Sequence, residues 1–351
     1  MRIVVSGYYG YRNAGDEWVL AGMLRSFRAL APDLEVEVLS GDPARTERQH
    51  EVPAVPRMQP LAVVAALRRA DGLLSGGGSL LQDSSSARPV AYYTGVAQLA
   101  ATLGRPYVIH AQGLGPIRRA TNRVLAGRAL RNATAVSLRD VASVALAREL
   151  GVDRPIEVVP DPALALKPTP IMRSGPAPIV VAIRDWAAAP PFLEPLHAAL
   201  AELSLEHPVI ALPMQEPDDR GPSLAVIAGI EHASVVDATT GLDTRAGILA
   251  GAGLVIGMRL HALILAAAAG VPAVAVSYDP KVDAFAEIAG QVVAGDVGTG
   301  LDAARIVEAA RDALAGRSGG DDARIGELRE AVERSSAASL TALGYAGAAA
   351  G

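Results

Sequence analysis

The stretch Lys167-Pro168-Thr169-Pro170-Ile171-Met172-Arg173-Ser174-Gly175-Pro176-Ala177-Pro178 decides the fold, because it interrupts an otherwise steady rhythm. Four prolines in twelve residues, with no apolar periodicity, have the composition of an interdomain linker. On its N-terminal side, short aliphatic runs ending in glycine-rich or polar turns alternate with alanine- and leucine-rich amphipathic segments, the pattern of βα units around a parallel sheet. The strands expected there are Ile3–Val5, Leu34–Leu39, Gly72–Ser75, Pro106–His110, Ala135–Ser137 and Ile156–Val159. On its C-terminal side a second series runs through Ile179–Ile183, Val209–Leu212, Ser234–Val236, Leu254–Ile256 and Ala273–Ser277. No residue-level repeat links the halves, which argues for two doubly wound domains and against a solenoid. The expectation is an α/β protein with two Rossmann-like domains facing across a cleft: 1–167, a linker over 168–178, 179–302, and a helical segment over 303–351. That last segment is expected to break over Gly316–Gly320 and to fray at its end.

Composition narrows the classes further. A chain of 351 residues and 36.0 kDa, half of them hydrophobic, is long enough for two ordinary domains. A formal charge of -5, with no run of Lys and Arg, argues against nucleic acid as a partner. The absence of cysteine excludes a disulfide framework, thiolate zinc sites and cysteine nucleophiles, and fits a reducing compartment such as the cytoplasm. The opening Met1-Arg2-Ile3-Val4-Val5 is too short for a signal sequence and reads as a strand. The longest apolar segment, Ala262–Val276, is interrupted by Gly270 and Pro272 and falls below the roughly 20 residues that span a bilayer, so any membrane contact is expected to be peripheral.

The chemistry-bearing residues follow strand ends. Gly257-Met258-Arg259-Leu260-His261 and Tyr278-Asp279-Pro280-Lys281 bring a guanidinium, an imidazole and an ammonium to neighbouring strand ends, an anion site with a proton-transfer group inside it. Lys281 is informative because Lys167 is the only other lysine among 32 Lys+Arg, and a compact ammonium is not equivalent to a planar fork. His261 falls in the first turn of a helix running to Ala269, where the positive dipole end disfavours imidazolium and a bound anion favours it. A histidine so placed suits general acid and base work. No second histidine stands at helical spacing from it, and His50, His197, His207 and His232 lie in segments that read as surface or linker, so no metal site is expected.

Four loops of the first half add candidates. Gly7-Tyr8-Tyr9-Gly10-Tyr11-Arg12-Asn13-Ala14-Gly15-Asp16 reads equally as an anion-binding helix start and as a turn capped by Asp16, and it lacks G-x-G-x-x-G spacing. Ser75-Gly76-Gly77-Gly78-Ser79-Leu80-Leu81-Gln82-Asp83 offers backbone contact to a ligand or is an ordinary turn, with Asp83 a base for a sugar hydroxyl or the cap of the next helix. Gln112-Gly113-Leu114-Gly115-Pro116 carries uncharged donors, and His110 before it reads as a core or strand-end histidine. Ser137-Leu138-Arg139-Asp140 puts a guanidinium where a helix starts, placed for a ligand anion or for pairing with Asp140 or Asp161.

Taken in order, these motifs resemble the polysaccharide pyruvyl transferase family from residue 3 to about 290, most closely its CsaB-like branch, which modifies the secondary cell-wall polymer that anchors S-layer proteins. The resemblance implies a GT-B-like fold, phosphoenolpyruvate as substrate and donor, no cofactor, and a cyclic pyruvate ketal as product. It implies an N-acetylhexosamine acceptor on a lipid-linked precursor, modified at the cytoplasmic face of the membrane. By motif it assigns His261 as acid/base residue, with Arg139, Arg259, the Leu260 backbone and Lys281 around the donor. Asp83 is the weaker candidate for activating the acceptor, and Gly10, Asn13, Asp16, Gly77, Gly78, Gln82 and Gln112 are acceptor or loop candidates. Two other classes compete: a nucleotide-sugar glycosyltransferase or UDP-sugar epimerase of the same architecture, and a non-catalytic sugar-binding module. The first needs a ribose contact, for which Glu216, Asp218 and Asp219 are unconvincing; the second gives no reason for an Arg-x-His pair beside a rare lysine.

Overall fold

A computed structural model describes residues 1–84, 86–186, 192–316 and 322–347. Its chain divides into two compact units, each a parallel α/β sheet with flanking helices. The first unit holds strands β1 (Arg2–Tyr9), β2 (Glu35–Ser40), β3 (Ala54–Pro56), β4 (Gly72–Gly76), β5 (Tyr107–Gln112), β6 (Ala135–Leu138) and β7 (Glu157–Val158), in the spatial order β3-β2-β1-β4-β5-β6-β7. Helices α1 (Ala14–Leu30), α2 (Pro43–His50), α3 (Pro60–Arg69), α4 (Arg88–Thr102), α5 (Ala120–Asn132) and α6 (Val141–Glu149) alternate with them. The second unit holds β8 (Ile179–Ala182), β9 (Val209–Ala211), β10 (Ala233–Val235), β11 (Leu254–Gly257), β12 (Ala273–Ser277) and β13 (Val292–Asp296), in the order β10-β9-β8-β11-β12-β13. Its helices are α7 (Leu193–Leu203), α8 (Arg220–Val226), α9 (Leu242–Ala250), α10 (Leu260–Ala269), α11 (Pro280–Ala289) and α12 (Ala303–Leu314); α13 (Asp322–Ala342) follows.

Both sheets reverse their winding once, between β1 and β4 and between β8 and β11, and such switch points open a crevice at the carboxyl ends of the strands. The strands there are buried on both faces, as their unbroken aliphatic runs require. Helix α10 is apolar all round and almost wholly buried, so its first turn is fixed in place by packing. Asp279 caps α11 by accepting from the Lys281 amide, with Pro280 at the first helical position.

The units do not follow contiguous blocks of sequence. Residues Leu328–Gly351 belong with the first unit and Arg12–Trp18 with the second, where 303–351 was expected to stand apart. The cause is side-chain contact made far along the chain. Ser339 of α13 bonds His110 at 2.9 Å, Arg329 donates to the Leu164 carbonyl at 3.1 Å, and the Tyr345 hydroxyl donates to Asp33. Strands β3 and β13 were not anticipated, one being three residues with a proline and the other interrupted by Gly295. The break expected over Gly316–Gly320 and the frayed end lie largely outside the described residues.

Candidate active site

The second unit gathers the cations and the imidazole. Strand β11 lies between β8 and β12, with Gly257 paired in register to Ala182 on one side and to Ala275 on the other. The Ala182 carbonyl accepts from the Met258 and Arg259 amides at 2.9 and 3.2 Å, which carries the contact past the strand ends. Arg259 then takes the N-cap position of α10 without a side-chain capping bond, and Leu260 and His261 occupy the helix's first turn, whose N–H groups lack intrahelical partners. Lys281 stands at the start of α11 after β12.

Arg259 is not a loose cation. Its Nε donates to Asp219 Oδ2 at 2.8 Å and its Nη2 to Asp219 Oδ1, with 12 % and 1 % of the two side chains exposed. Asp219 also accepts from the Met214 and Gln215 amides, at 3.1 and 3.0 Å. The fork is therefore locked edge-on to a fixed carboxylate, leaving Nη1 for another acceptor. Lys281 Nζ lies 3.2 Å from Asp279 Oδ2 and 5.5 Å from the Tyr278 ring centroid.

His261 is positioned by an absence of side chain. Gly15, in the first turn of α1 and within the same unit, lies so close that a Cβ built there would meet His261 Nδ1 at 2.3 Å and Cγ at 2.8 Å. This segment is tied to the second unit by the Ala14 amide, which donates to the Met214 carbonyl at 2.8 Å, and by the bridge between Asn13 and Gln215. Asn13, and not Asp16, caps α1, accepting from the Gly15 amide at 3.1 Å; Asp16 sits in the first turn as one of its acids.

The first-unit candidates mostly have structural work. Arg139 Nη1 pairs with Asp161 at 3.1 Å, one of the two partners the sequence allowed, and Nη2 donates to Ser79 at 3.2 Å. Asp140 instead caps α6. Asp83, buried, accepts from the Arg118 and Arg119 amides at 2.7 and 2.9 Å and from Asn122 at 3.1 Å. Led by the Arg118 amide, these bonds hold its carboxyl below the ordinary aspartate range. The carboxylate therefore braces the start of α5 and does not cap α4, the second of the two roles its position allowed. Gln112 is buried at the end of β5, not in a loop, with Nε2 donating to the Ser75 carbonyl and hydroxyl at 2.8 and 2.9 Å. Gln82 holds the Ser84 amide at 2.9 Å. Gly10, Gly77 and Gly78 take left-handed φ of 81°, 81° and 68°.

His110 is a core histidine, fully buried, and burial pushes its pKa down to about 4. His50 is buried as well, where its segment had read as surface. Among the described residues no group of three acids, histidines or cysteines is arranged to hold a metal, and no helix is long and apolar enough to cross a membrane. Sequence reasoning missed Asp219 as the anchor of Arg259 and Gly15 as the seat of His261. Gly15 lay inside a motif already singled out, but nothing local to Asp219 connects it to an arginine 40 residues away.

Residues 13–280 match the polysaccharide pyruvyl transferase family. The chain belongs to that family and is a transferase. No curated protein matches it. Its fold is similar to solved GT-B structures. A UDP-GlcNAc 2-epimerase from Methanocaldococcus jannaschii superposes with a TM-score of 0.65 at 11% identity, covering 95% of this chain and 97% of that one. The UDP-GlcNAc 2-epimerase of Neisseria meningitidis, bound to UDP-GlcNAc, gives 0.63 at 12%, covering 94% and 98%. The ADP-heptose heptosyltransferase II of E. coli gives 0.51 at 15%, covering 90% and 99%. At such identities these likenesses bear on fold alone.

Proposed function

We propose that this transferase uses phosphoenolpyruvate to build a cyclic pyruvate ketal on a sugar of a cell-wall polysaccharide precursor, with His261 as the acid/base residue. The observation that carries the reading is the grouping of His261, Arg259 and Lys281 at the ends of two hydrogen-bonded strands, β11 and β12, in a chain of this family. His261 gives a proton to the methylene carbon of the enol phosphate, and oxocarbenium character develops at the neighbouring carbon. One sugar hydroxyl attacks that carbon; a second then displaces phosphate and closes the ketal, each hydroxyl losing its proton. Arg259 through Nη1, the Leu260 amide and Lys281 hold the donor's anionic groups. Arg139 is assigned to the donor by the family resemblance alone. Asp83 is assigned to accepting an acceptor proton by the family resemblance alone. The acceptor is an N-acetylhexosamine on a lipid-linked precursor of the secondary cell-wall polymer, met at the cytoplasmic face of the membrane.

No metal is needed in this scheme, because positioned acid/base groups contribute about 10²–10⁴-fold and electrostatic clamps a comparable factor. His261→Ala tests the assignment. It is expected to keep phosphoenolpyruvate affinity by calorimetry within a few-fold while ketal formation is lost; a variant retaining more than about a tenth of the wild-type rate would remove His261 from the role.

A further inference from the structure

The loop that follows β8 carries a cation that the proposed reaction has not used. Arg184 stands two residues beyond Ala182, and Arg259 stands two residues beyond Gly257, its register partner on the neighbouring strand. The two arginines thus stand just past the ends of neighbouring strands about 4.8 Å apart, flanking the switch point of the second sheet. Their surroundings differ in kind. Arg259 is bidentate on Asp219, and Lys281 is paired with Asp279. Arg184 forms no ion pair with any acid among the described residues.

What holds Arg184 is aromatic. Its guanidinium carbon lies 5.3 Å from the Trp186 ring centroid and 5.2 Å from that of Tyr278, and these two rings pack edge to face at 5.0 Å. Its Nε donates to the Asp185 carbonyl at 3.3 Å and its Nη1 to the Tyr278 hydroxyl at 3.5 Å, and Nη2 has no acceptor among the described residues. Tyr278 carries Lys281 as well, 5.5 Å from its centroid. One ring therefore supports two cations, of which Lys281 is also paired with Asp279. A partly buried guanidinium held by rings, with no counter-ion among the described residues, is pre-organised for an incoming anion. A planar fork matches a planar carboxylate in a way that a point charge does not.

We propose that Arg184 is a donor-binding residue that receives the carboxylate of phosphoenolpyruvate, with Trp186 and Tyr278 orienting its guanidinium and Lys281 left for the phosphate. This assignment rests on the proposed function and adds to it the group that separates a carboxylated donor from phosphate alone.

The test is calorimetry on the full chain with two probes, phosphoenolpyruvate and inorganic phosphate, on wild type, Arg184→Gln, Arg184→Lys and Trp186→Leu. Arg184→Gln is expected to weaken phosphoenolpyruvate about ten- to a hundredfold and phosphate by less than about twofold, the loss of one charge-assisted fork. Arg184→Lys is expected to recover only part of the loss, and Trp186→Leu to fall between it and wild type. Unchanged phosphoenolpyruvate affinity in Arg184→Gln, or an equal loss for both probes, overturns the assignment while leaving the proposed function standing. Failure of the wild type to bind phosphoenolpyruvate overturns both. Unfolding midpoints measured beside the titrations separate lost binding from lost structure.

Discussion

Adding one methyl group at Gly15 should disable the enzyme while leaving it folded. Gly15 lies in the first turn of α1, and an alanine Cβ there would stand 2.3 Å from His261 Nδ1, 2.8 Å from Cγ and 3.1 Å from Cε1. Ordinary contact begins near about 3.5 Å, so the imidazole must move by about 1 Å or rotate out of its seat. Displacement of that size at a proton-transfer group costs about 10²-fold in rate, close to 2.7 kcal/mol of barrier. Helix propensity works the other way, since alanine is favoured over glycine by up to about 1 kcal/mol in a helix. Stability should therefore change little while kcat falls. Gly221→Ala is the matched control, because a Cβ there meets nothing within 4 Å. The assay is kcat for ketal formation beside a urea midpoint for each variant. A Gly15→Ala protein that turns over at the wild-type rate would mean that the position of the His261 ring does not matter, and the acid/base assignment would fall with it.

Other perturbations probe separate parts of the account. Lys281→Arg should lower kcat/KM about ten- to a hundredfold, because a wider planar fork replaces a point charge, whereas Lys167→Arg should be silent; equal activity in steady-state kinetics would place Lys281 outside the site. Asp219→Ala strips a buried partner from Arg259 and should cost about 3–5 kcal/mol in urea unfolding, with donor affinity falling as the fork loses its anchor. His110 supplies a pH dependence. Its folded pKa of about 4 lies below the unfolded value near 6.5, so the unfolded state binds the proton first as pH falls. The stability it contributes is full above pH 6.5 and is lost progressively toward pH 4, about 2 kcal/mol of it between pH 7 and pH 5. Urea midpoints at those two pH values should diverge for wild type and converge for His110→Gln.

The strands at the switch points were legible because each is an aliphatic run buried on both faces, ended by the glycine or polar turn that a ligand loop needs. Position at a strand end then brought Arg259, His261 and Lys281 together from sequence alone. Their partners were harder to read. The pairing of Arg139 with Asp161 could be named because both follow neighbouring strands, but Asp219 reaches Arg259 from a loop two strands away. The cap expected of Asp83 was misplaced because local logic puts a carboxylate on the next helix start. Here α4 begins five residues later, at Arg88, and the carboxylate bonds to amides 35 and 36 residues on. The docking of α13 was invisible for the same reason, since His110 and Ser339 are 229 residues apart. Short-range pattern placed the elements, and long-range polar contacts remained beyond it.

The most direct measurement is phosphate release from phosphoenolpyruvate by purified wild type and His261→Ala, with and without N-acetylhexosamine-containing glycan acceptors, run beside UDP-GlcNAc as a rival donor. The account predicts phosphate released only when phosphoenolpyruvate and an acceptor are both present, a pyruvate ketal on the glycan by mass spectrometry, and neither product with His261→Ala. Turnover of UDP-GlcNAc with no phosphate from phosphoenolpyruvate, or phosphate release that survives His261→Ala, would contradict it.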